Sequence, residues 1–307
     1  MNVIYGLENL SSEWDECTVS IGVFDGVHLG HQKVIQTAYE DSRKHSRTCV
    51  VLTFDRHPMS VIKPEYAPET ILSPELKNRK IIKSGADFVV IVCFNKEFAL
   101  QSPNEFYENV LCKRLKSKTI VVGHDFQFGK DRQGNTEWLS KRITTRVVPA
   151  IELEGKRVSS TEIRSLIKQG EVKQAGKLLG DDFGISGMIV KGNQLGRKME
   201  MPTINLVPII NQVIPKSGVY SGFAETAHGT FGAAISIGTR PSIEGAGFAI
   251  EAHLIDFPNV ELYGSTCNLF ISDFVREQIS FNSLDELSLQ MKKDVELIKK
   301  KLETIHA

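Results

Sequence analysis

What this 307-residue chain lacks removes whole classes of protein. It carries no net charge, since Lys+Arg and Asp+Glu both total 37, which argues against a protein that grips nucleic acid by neutralising phosphates. It has no long apolar run. The longest, Phe88 to Phe94, falls far short of the roughly 18 residues a membrane span needs. The N-terminal stretch MNVIYGLENLSSEWDE shows neither a basic n-region nor an apolar h-region, so no secretory signal is expected. The five cysteines (Cys17, Cys49, Cys93, Cys112, Cys267) form no C-x-x-C pair. Their scatter and odd number point to reduced thiols and a cytoplasmic protein, without a disulfide framework or zinc knuckle. Internal repeats and low-complexity segments are absent too. With 41% apolar and 24% charged residues, the composition is that of a folded globular chain, and the length suits two domains.

Up to about residue 180, β-rich runs alternate with helical stretches. Strands are expected at Thr18–Phe24, Thr48–Phe54, Asp87–Phe94, Thr119–Val122 and Arg146–Ile151. Between them His31–His45, Pro74–Lys83 and Asn104–Leu115 carry apolar residues at helical spacing. Ser102-Pro103-Asn104-Glu105 reads as a capping box, and Ser73-Pro74 repeats its first half. Near-continuous apolar strands imply a parallel sheet buried on both faces, whose ligands bind outside the carboxyl ends of the strands. From about residue 184 the texture changes to short, glycine-rich β-runs (GISGMIVKG, GVYSGFAET, FGAAISIG, FAIEAHLIDF, STCNLFISDFV) that suit an antiparallel barrel or sandwich. A long helix closes the chain, opened by Ser283-Leu284-Asp285-Glu286. Its expected buried stripe is Leu284, Leu287, Met291, Ile298, Leu302 and Ile305. The fold class expected is α/β, a parallel-sheet domain over 1–182 and a β-barrel domain with a terminal helix over 183–307.

Two polar motifs in the first domain stand out. The first strand runs into Phe24-Asp25-Gly26-Val27-His28-Leu29-Gly30-His31, which leads into a helix. A helix N-terminus offers free N–H groups and positive dipole to phosphate, and imidazole N–H donors beside it can bind phosphoryl oxygens. The bland alternative is a turn with two surface histidines; a metal site finds no Cys or Glu at matching spacing. Later, Val158-Ser159-Ser160-Thr161-Glu162-Ile163-Arg164 opens another helix. Ser159 and Glu162 could be a capping box and nothing more. Arg164, however, opposes the helix dipole by about a few tenths of a kcal/mol unless an anion sits there. Three hydroxyls, open N–H groups and a guanidinium together make a polyphosphate seat.

H-x-G-H after the first strand, with S-S-T-x-I-R near the domain's end, resembles the nucleotidyltransferase superfamily. The finer pattern IGVFDGVHLGHQ, LTFDRHP, VGHDFQFGKDRQGN and VSSTEIR resembles the adenylyltransferase half of the bacterial riboflavin kinase/FAD synthetase family. GRKMEMPTINL, GVYSG, IGTRPS and EAHLIDFPNVELYG resemble its kinase half. The resemblance implies a Rossmann-like nucleotidyltransferase domain that transfers AMP from ATP to FMN with Mg²⁺, giving FAD and pyrophosphate. Phe24, Gly26, His28, His31, Ser159, Ser160, Thr161 and Arg164 would bind ATP, with His28, His31 and Arg164 acting in catalysis. Phe54, His57, Pro58, Asp125, Phe126 and Phe128 would form the flavin pocket, although such aromatics taken alone more often mean core. The family usually has Asn at Val23 and Pro at Arg56, and Arg56 could instead meet the FMN phosphate.

In the second domain the resemblance implies a small barrel that phosphorylates riboflavin, with Thr203 and Asn205 holding Mg²⁺ and Glu251 as general base. Without the family, Glu251 is one acid on an alternating strand. The loop Gly196-Arg197-Lys198-Met199-Glu200-Met201 departs from the usual G-R-x-x-G-F. Glycine there permits close approach of backbone to phosphate, whereas Glu200 adds a like charge, worth roughly 4 kcal/mol of repulsion at about 4 Å and an effective dielectric of about 20. Ile204 replaces a small residue, and Ser236 stands where Asn is usual. The expectation is therefore an FAD synthetase whose kinase domain is weak or inactive; the alternative is a fully bifunctional enzyme, and a third reading a non-catalytic flavin sensor. The partners implied are small molecules (ATP, FMN, FAD as product, and riboflavin if the kinase works), with neither nucleic acid nor membrane, and an oligomer left open.

Overall fold

A computed structural model of the chain describes residues 2–10, 14–192, 201–239, 248–258 and 260–306. The chain divides into two compact units, one of Met1–Thr70 and Pro74–Ser160, the other of Ile71–Ser73 and Thr161–Ala307.

In the first unit six strands form a parallel sheet: β1 Val3–Tyr5, β2 Cys17–Ile21, β3 Thr48–Phe54, β4 Phe88–Val92, β5 Ser117–Gly123 and β8 Thr144–Val148, in the order β1-β4-β3-β2-β5-β8. Two short pairs, β6 Gln127–Phe128 with β7 Gly134–Asn135 and β9 Glu152–Leu153 with β10 Lys156–Arg157, lie apart from it. Alternation along the strands divides the core between the two faces. Val19, Ile21, Val50, Leu52, Val90, Val92, Ile120 and Val122 pack with Phe106, Val110, Leu111 and Leu115. On the other face Val51, Val89 and Ile91 meet Ile35 of α1 (Leu29–Lys44) and Ile81 of α3 (Pro74–Lys83). Shorter helices are α2 Met59–Ile62, α4 Lys96–Ala99 and α6 Thr136–Ser140.

The capping box at Ser102 is complete, opening α5 (Pro103–Glu105). The helix expected as far as Leu115 then continues as a π-helix, Phe106–Arg114, closed by a Leu115 N–H bond to Val110 O. Its buried residues Phe106, Val110, Leu111 and Leu115 recur at intervals of four and five, which a wider turn aligns better than a 3.6-residue one. The edge strand β1 carries no alternating pattern in three residues and escapes sequence reading. So does the residue at which α1 starts: it begins at Leu29, with His28 as its N-cap.

In the second unit, after α7 (Ser160–Gln169) and α8 (Val172–Leu179), six antiparallel strands close a barrel in the order β11-β12-β15-β14-β13-β16. They are β11 Phe183–Val190, β12 Thr203–Pro208, β13 Gly218–Thr226, β14 Gly229–Thr239, β15 Phe248–Leu254 and β16 Thr266–Arg276. Ile189, Leu206, Tyr220, Ile235, Ile250, Ala252 and Leu269 fill it. α9 (Leu284–His306) packs Ile298 and Leu302 against Ile255, Phe223, Ala234 and Val275. The expected stripe is corrected at its start: Leu284 is 49% exposed, and Leu287 and Met291 are only half-buried. The contact begins instead at Asp294, whose carboxylate takes a two-pronged Arg276 guanidinium (3.1 and 2.6 Å). Ser283 Oγ accepts the Glu286 N–H, while Glu286 reaches back to the Asn282 N–H. The side chain of Ile305 lies outside the described residues. No helix among the described residues is long and apolar enough to cross a membrane.

Candidate active sites

In the parallel sheet the strand order reverses at β2, which has β3 on one side and β5 on the other. The crevice outside the carboxyl ends of β2 and β5 is therefore the topological switch point, where open α/β sheets bind ligands. Both polar segments expected to act there leave from these ends: Gly22–His31 after β2 and His124–Phe128 after β5.

The turn after β2 is strained. Phe24 (φ 52°), Gly26 (φ 80°) and even β-branched Val27 (φ 41°) take left-handed backbone, a conformation that clusters at ligand-binding sites. The Phe24 ring, 2% exposed, anchors the turn and stands edge-on to His31 at 5.3 Å. His28 Nδ1 accepts the backbone N–H of His31 (3.3 Å), which caps α1. That bond fixes the tautomer: the lone pair is on Nδ1, so neutral His28 carries its proton on Nε2 and can donate from there. The His31 ring stacks on it, centroids 3.6 Å apart at 17°, with its own Nδ1 buried and making no hydrogen bond in the protein. The H-x-G-H spacing has a steric reason as well, since a Cβ on Gly30 would come within 3.1 Å of the His28 ring.

Burial pushes the His28 imidazole down to about 4, with Lys80 adding to the effect; His31 is held well below its ordinary value by burial and by His28. Both rings are neutral at neutral pH and offer donors without charge. Asp25 of the turn accepts, through its carbonyl, the Ser160 hydroxyl (3.0 Å), a contact within the first unit. Thr161, Glu162 and Arg164 follow on α7 and belong to the second unit, and Ser159 precedes it.

The expected flavin residues divide by environment. Phe128 is core, 9% exposed and packed with Phe106 and Trp138. Phe126 lies parallel to it (5.6 Å, 17°), and half-buried Phe54 meets Phe94 edge-on at 5.2 Å. These rings give an apolar wall at the ends of β3 and β5. His57 Nδ1 accepts the Met59 N–H beside Pro58, the residue before α2. Asp125 is paired with Arg157 at 2.8 Å. Arg56 is paired with its neighbour Asp55 at 2.8 Å, and Asp55 in turn accepts the Phe94 N–H. Sequence reading missed Lys77 of α3, whose ammonium donates to Phe54 O (2.9 Å) and to Thr53 Oγ1 (3.4 Å) at the end of β3. The available signal was the one used for Arg164, a cation near the start of a helix.

In the barrel, register does what sequence could not. Asn205 of β12 stands opposite Glu251 of β15, and Glu251 stands opposite Ser236 of β14. Directly opposed residues share a face, so the three form a row across three strands. Thr203, two residues from Asn205, joins that face, while Ile204, Leu206, Ile250 and Ala252 take the other. Gly192 presses on this row: a Cβ there would lie 2.3 Å from Asn205 Nδ2. His253 Nδ1 bonds to Pro202 O (2.9 Å) and steadies the start of β12. A threonine hydroxyl, an asparagine carbonyl and a carboxylate are hard oxygen donors, a set that fits Mg²⁺ shared with phosphates. Among the described residues no cluster of three His, Cys, Asp or Glu could hold a metal by itself. The altered loop through Glu200, and the motif around Arg240, lie outside the described residues.

Comparison with known proteins finds two family profiles, one in each half of the chain. The profile of the FAD synthetase family matches residues 10–162, and that of the riboflavin kinase family residues 179–302. The bifunctional riboflavin kinase/FMN adenylyltransferase of Escherichia coli strain K12 is 34% identical over 304 residues, 96% of each chain. The protein of the same description from Haemophilus influenzae is 34% identical over 305 residues, 97% of this chain and 98% of its own. A crystal structure from Streptococcus pneumoniae, described as a macrolide-efflux protein, superposes with a TM-score of 0.86 at 33% identity, covering 97% of this chain and 99% of that one.

Proposed function

The chain belongs to the bifunctional riboflavin kinase/FMN adenylyltransferase family, and from that premise we propose that it catalyses both steps, riboflavin to FMN and FMN to FAD. We assign adenylyl transfer to residues 1–182 and the kinase to 183–307. The observation that carries the first assignment is the pair of neutral imidazoles at the N-terminus of α1, placed at the switch point of a parallel sheet. For the second it is the row Asn205–Glu251–Ser236. The expectation of a weak or inactive kinase rested on Glu200, and its relatives are described as bifunctional, so the fully bifunctional reading is preferred.

In adenylyl transfer an oxygen of the FMN phosphate attacks the α-phosphorus of ATP. The bond to the oxygen bridging to the β-phosphate breaks, and pyrophosphate leaves with the electron pair. Such a reaction asks for positioning and charge stabilisation more than for proton transfer. His28, donating from Nε2, and His31 beside it stabilise the phosphoryl oxygens. Arg164 acts on the leaving pyrophosphate, with Ser159, Ser160 and Thr161 as further donors. The aromatic wall of Phe54, Phe126 and Phe128 holds the flavin ring.

In the kinase step Glu251 takes the proton of the ribityl hydroxyl as that oxygen bonds to the γ-phosphorus of ATP, while the bond from the γ-phosphorus to the oxygen bridging to the β-phosphate breaks and ADP leaves with the electron pair. Thr203 and Asn205 are the residues that would hold Mg²⁺, which, when bound, neutralises charge on the nucleotide phosphates. The test is two incubations with ATP and Mg²⁺, one with riboflavin and one with FMN, followed by chromatography. Formation of FMN in the first and FAD in the second is expected. FAD from FMN without any FMN from riboflavin would return the reading to an FAD synthetase with an inactive kinase. No turnover in either would leave flavin binding alone.

A further inference from the structure

Two polyanions must meet in adenylyl transfer, a phosphate monoester and a triphosphate, yet the two histidines of the turn are neutral. The charge that reconciles them must come from another residue. Arg56 and Arg157 of the first unit are already paired, with Asp55 and Asp125. Lys77 is not so engaged. Its half-buried ammonium donates to two neutral oxygens, Phe54 O and Thr53 Oγ1, and the Thr53 hydroxyl donates onward to Val23 O (3.1 Å). One side chain is thereby bonded to the residue that begins the aromatic wall and, through Thr53, to the residue that precedes the strained phosphate turn.

Resting on the adenylyl-transfer reading above, we propose that Lys77 is the cationic contact for the attacking phosphate monoester of FMN, holding it between the aromatic wall and the phosphate turn. The geometry suits that substrate better than ATP, because the β3 end to which Lys77 is bonded belongs to the flavin side of the crevice. The monoester attacks as a dianion, so no proton need move; its P–O bond to the α-phosphorus forms as pyrophosphate departs. An ammonium at this point offsets charge repulsion between the two substrates and orients the nucleophile. The electrostatic surroundings agree. Burial lowers Lys77 to about 8, against the pull of Asp25 and Asp55, the two carboxylates that face it. A bound phosphate dianion reverses that penalty.

The test compares FAD formation by the full-length wild type, Lys77→Met and Lys77→Arg, varying FMN and ATP separately across pH. A charge-assisted bond to phosphate is worth about 1.5–3 kcal/mol, so Lys77→Met should raise the FMN KM by roughly 10-fold to 100-fold and leave the ATP KM within about twofold. Lys77→Arg should recover most of the loss. Wild-type kcat/KM for FMN should fall above about pH 8. That alkaline limb should vanish in the arginine variant, whose charge does not titrate there. An unchanged FMN KM in Lys77→Met, or equal losses for both substrates without rescue by arginine, would overturn the proposal and leave a structural clamp. If Lys77→Met does not fold, the arginine profile decides, because a limb persisting near pH 8 places the titration elsewhere. A wild type that makes no FAD would refute the adenylyl-transfer reading itself, a result distinct from any of these.

Discussion

His28 has two duties that usually fall to different residues. Its Nδ1 caps a helix, and its Nε2 is left to donate. The cap requires the neutral ring, since only an unprotonated Nδ1 can accept, and burial enforces neutrality by lowering its pKa to about 4 from an ordinary value near 6.5. Above pH 6.5 the ring is neutral whether folded or unfolded, and its contribution to stability is fully present. As pH falls towards 4, the unfolded chain takes up the proton first, so stability is lost, by about 3 kcal/mol at most for this one group. Thermal midpoints measured from pH 7 to pH 4 should therefore drop more steeply in the wild type than in His28→Asn, which keeps a good N-cap without titrating. Parallel curves would show that the ring titrates normally. H-x-G-H was legible in the sequence as two donors at a helix start. The stacking of the rings, the tautomer and the clearance at Gly30 were not, because each depends on side-chain torsions and on a turn whose left-handed residues include a phenylalanine and a valine.

At the scale of elements, strands and helices with a clear period were readable. Thr48–Phe54 and Pro74–Lys83 are found with the boundaries expected from the sequence. Elements without a period of their own were not. β12 alternates over only four residues, Thr203 to Leu206, before Val207-Pro208 breaks the pattern, too short a period to stand out until its pairing with β11 and β15 is seen. In α9 the apolar residues outnumber those that find a partner, so the sequence pattern overstated the buried stripe. This difference is measurable. Leu302→Ala removes a buried side chain and should cost about 2–5 kcal/mol, whereas Leu284→Ala, at an exposed helix start, should stay within about 0.5 kcal/mol. Urea unfolding followed by circular dichroism would check both, and equal effects would mean that α9 packs through its first turn after all.

On the scale of the whole molecule, two units of different fold class are joined in one chain. The expected outcome is that activities separate by mutation. Glu251→Gln should abolish FMN formation from riboflavin while FAD formation from added FMN continues, and His28→Ala with His31→Ala should do the reverse. Loss of both activities in either variant, in protein shown to be folded, would contradict a separate assignment of the two sites. The sequence by itself determined the class of each half and the family, because apolar periodicity and short motifs are local and survive being read one residue after another. Which residues share a site was decided by tertiary structure. Strand order put the ends of β2 and β5 side by side, barrel register set Asn205, Glu251 and Ser236 in one row, and packing brought Lys77 to the end of β3. The physical reason is that strand pairing and burial act between residues far apart in the chain, and they fix side-chain neighbours, charge and pKa only once the chain has closed on itself.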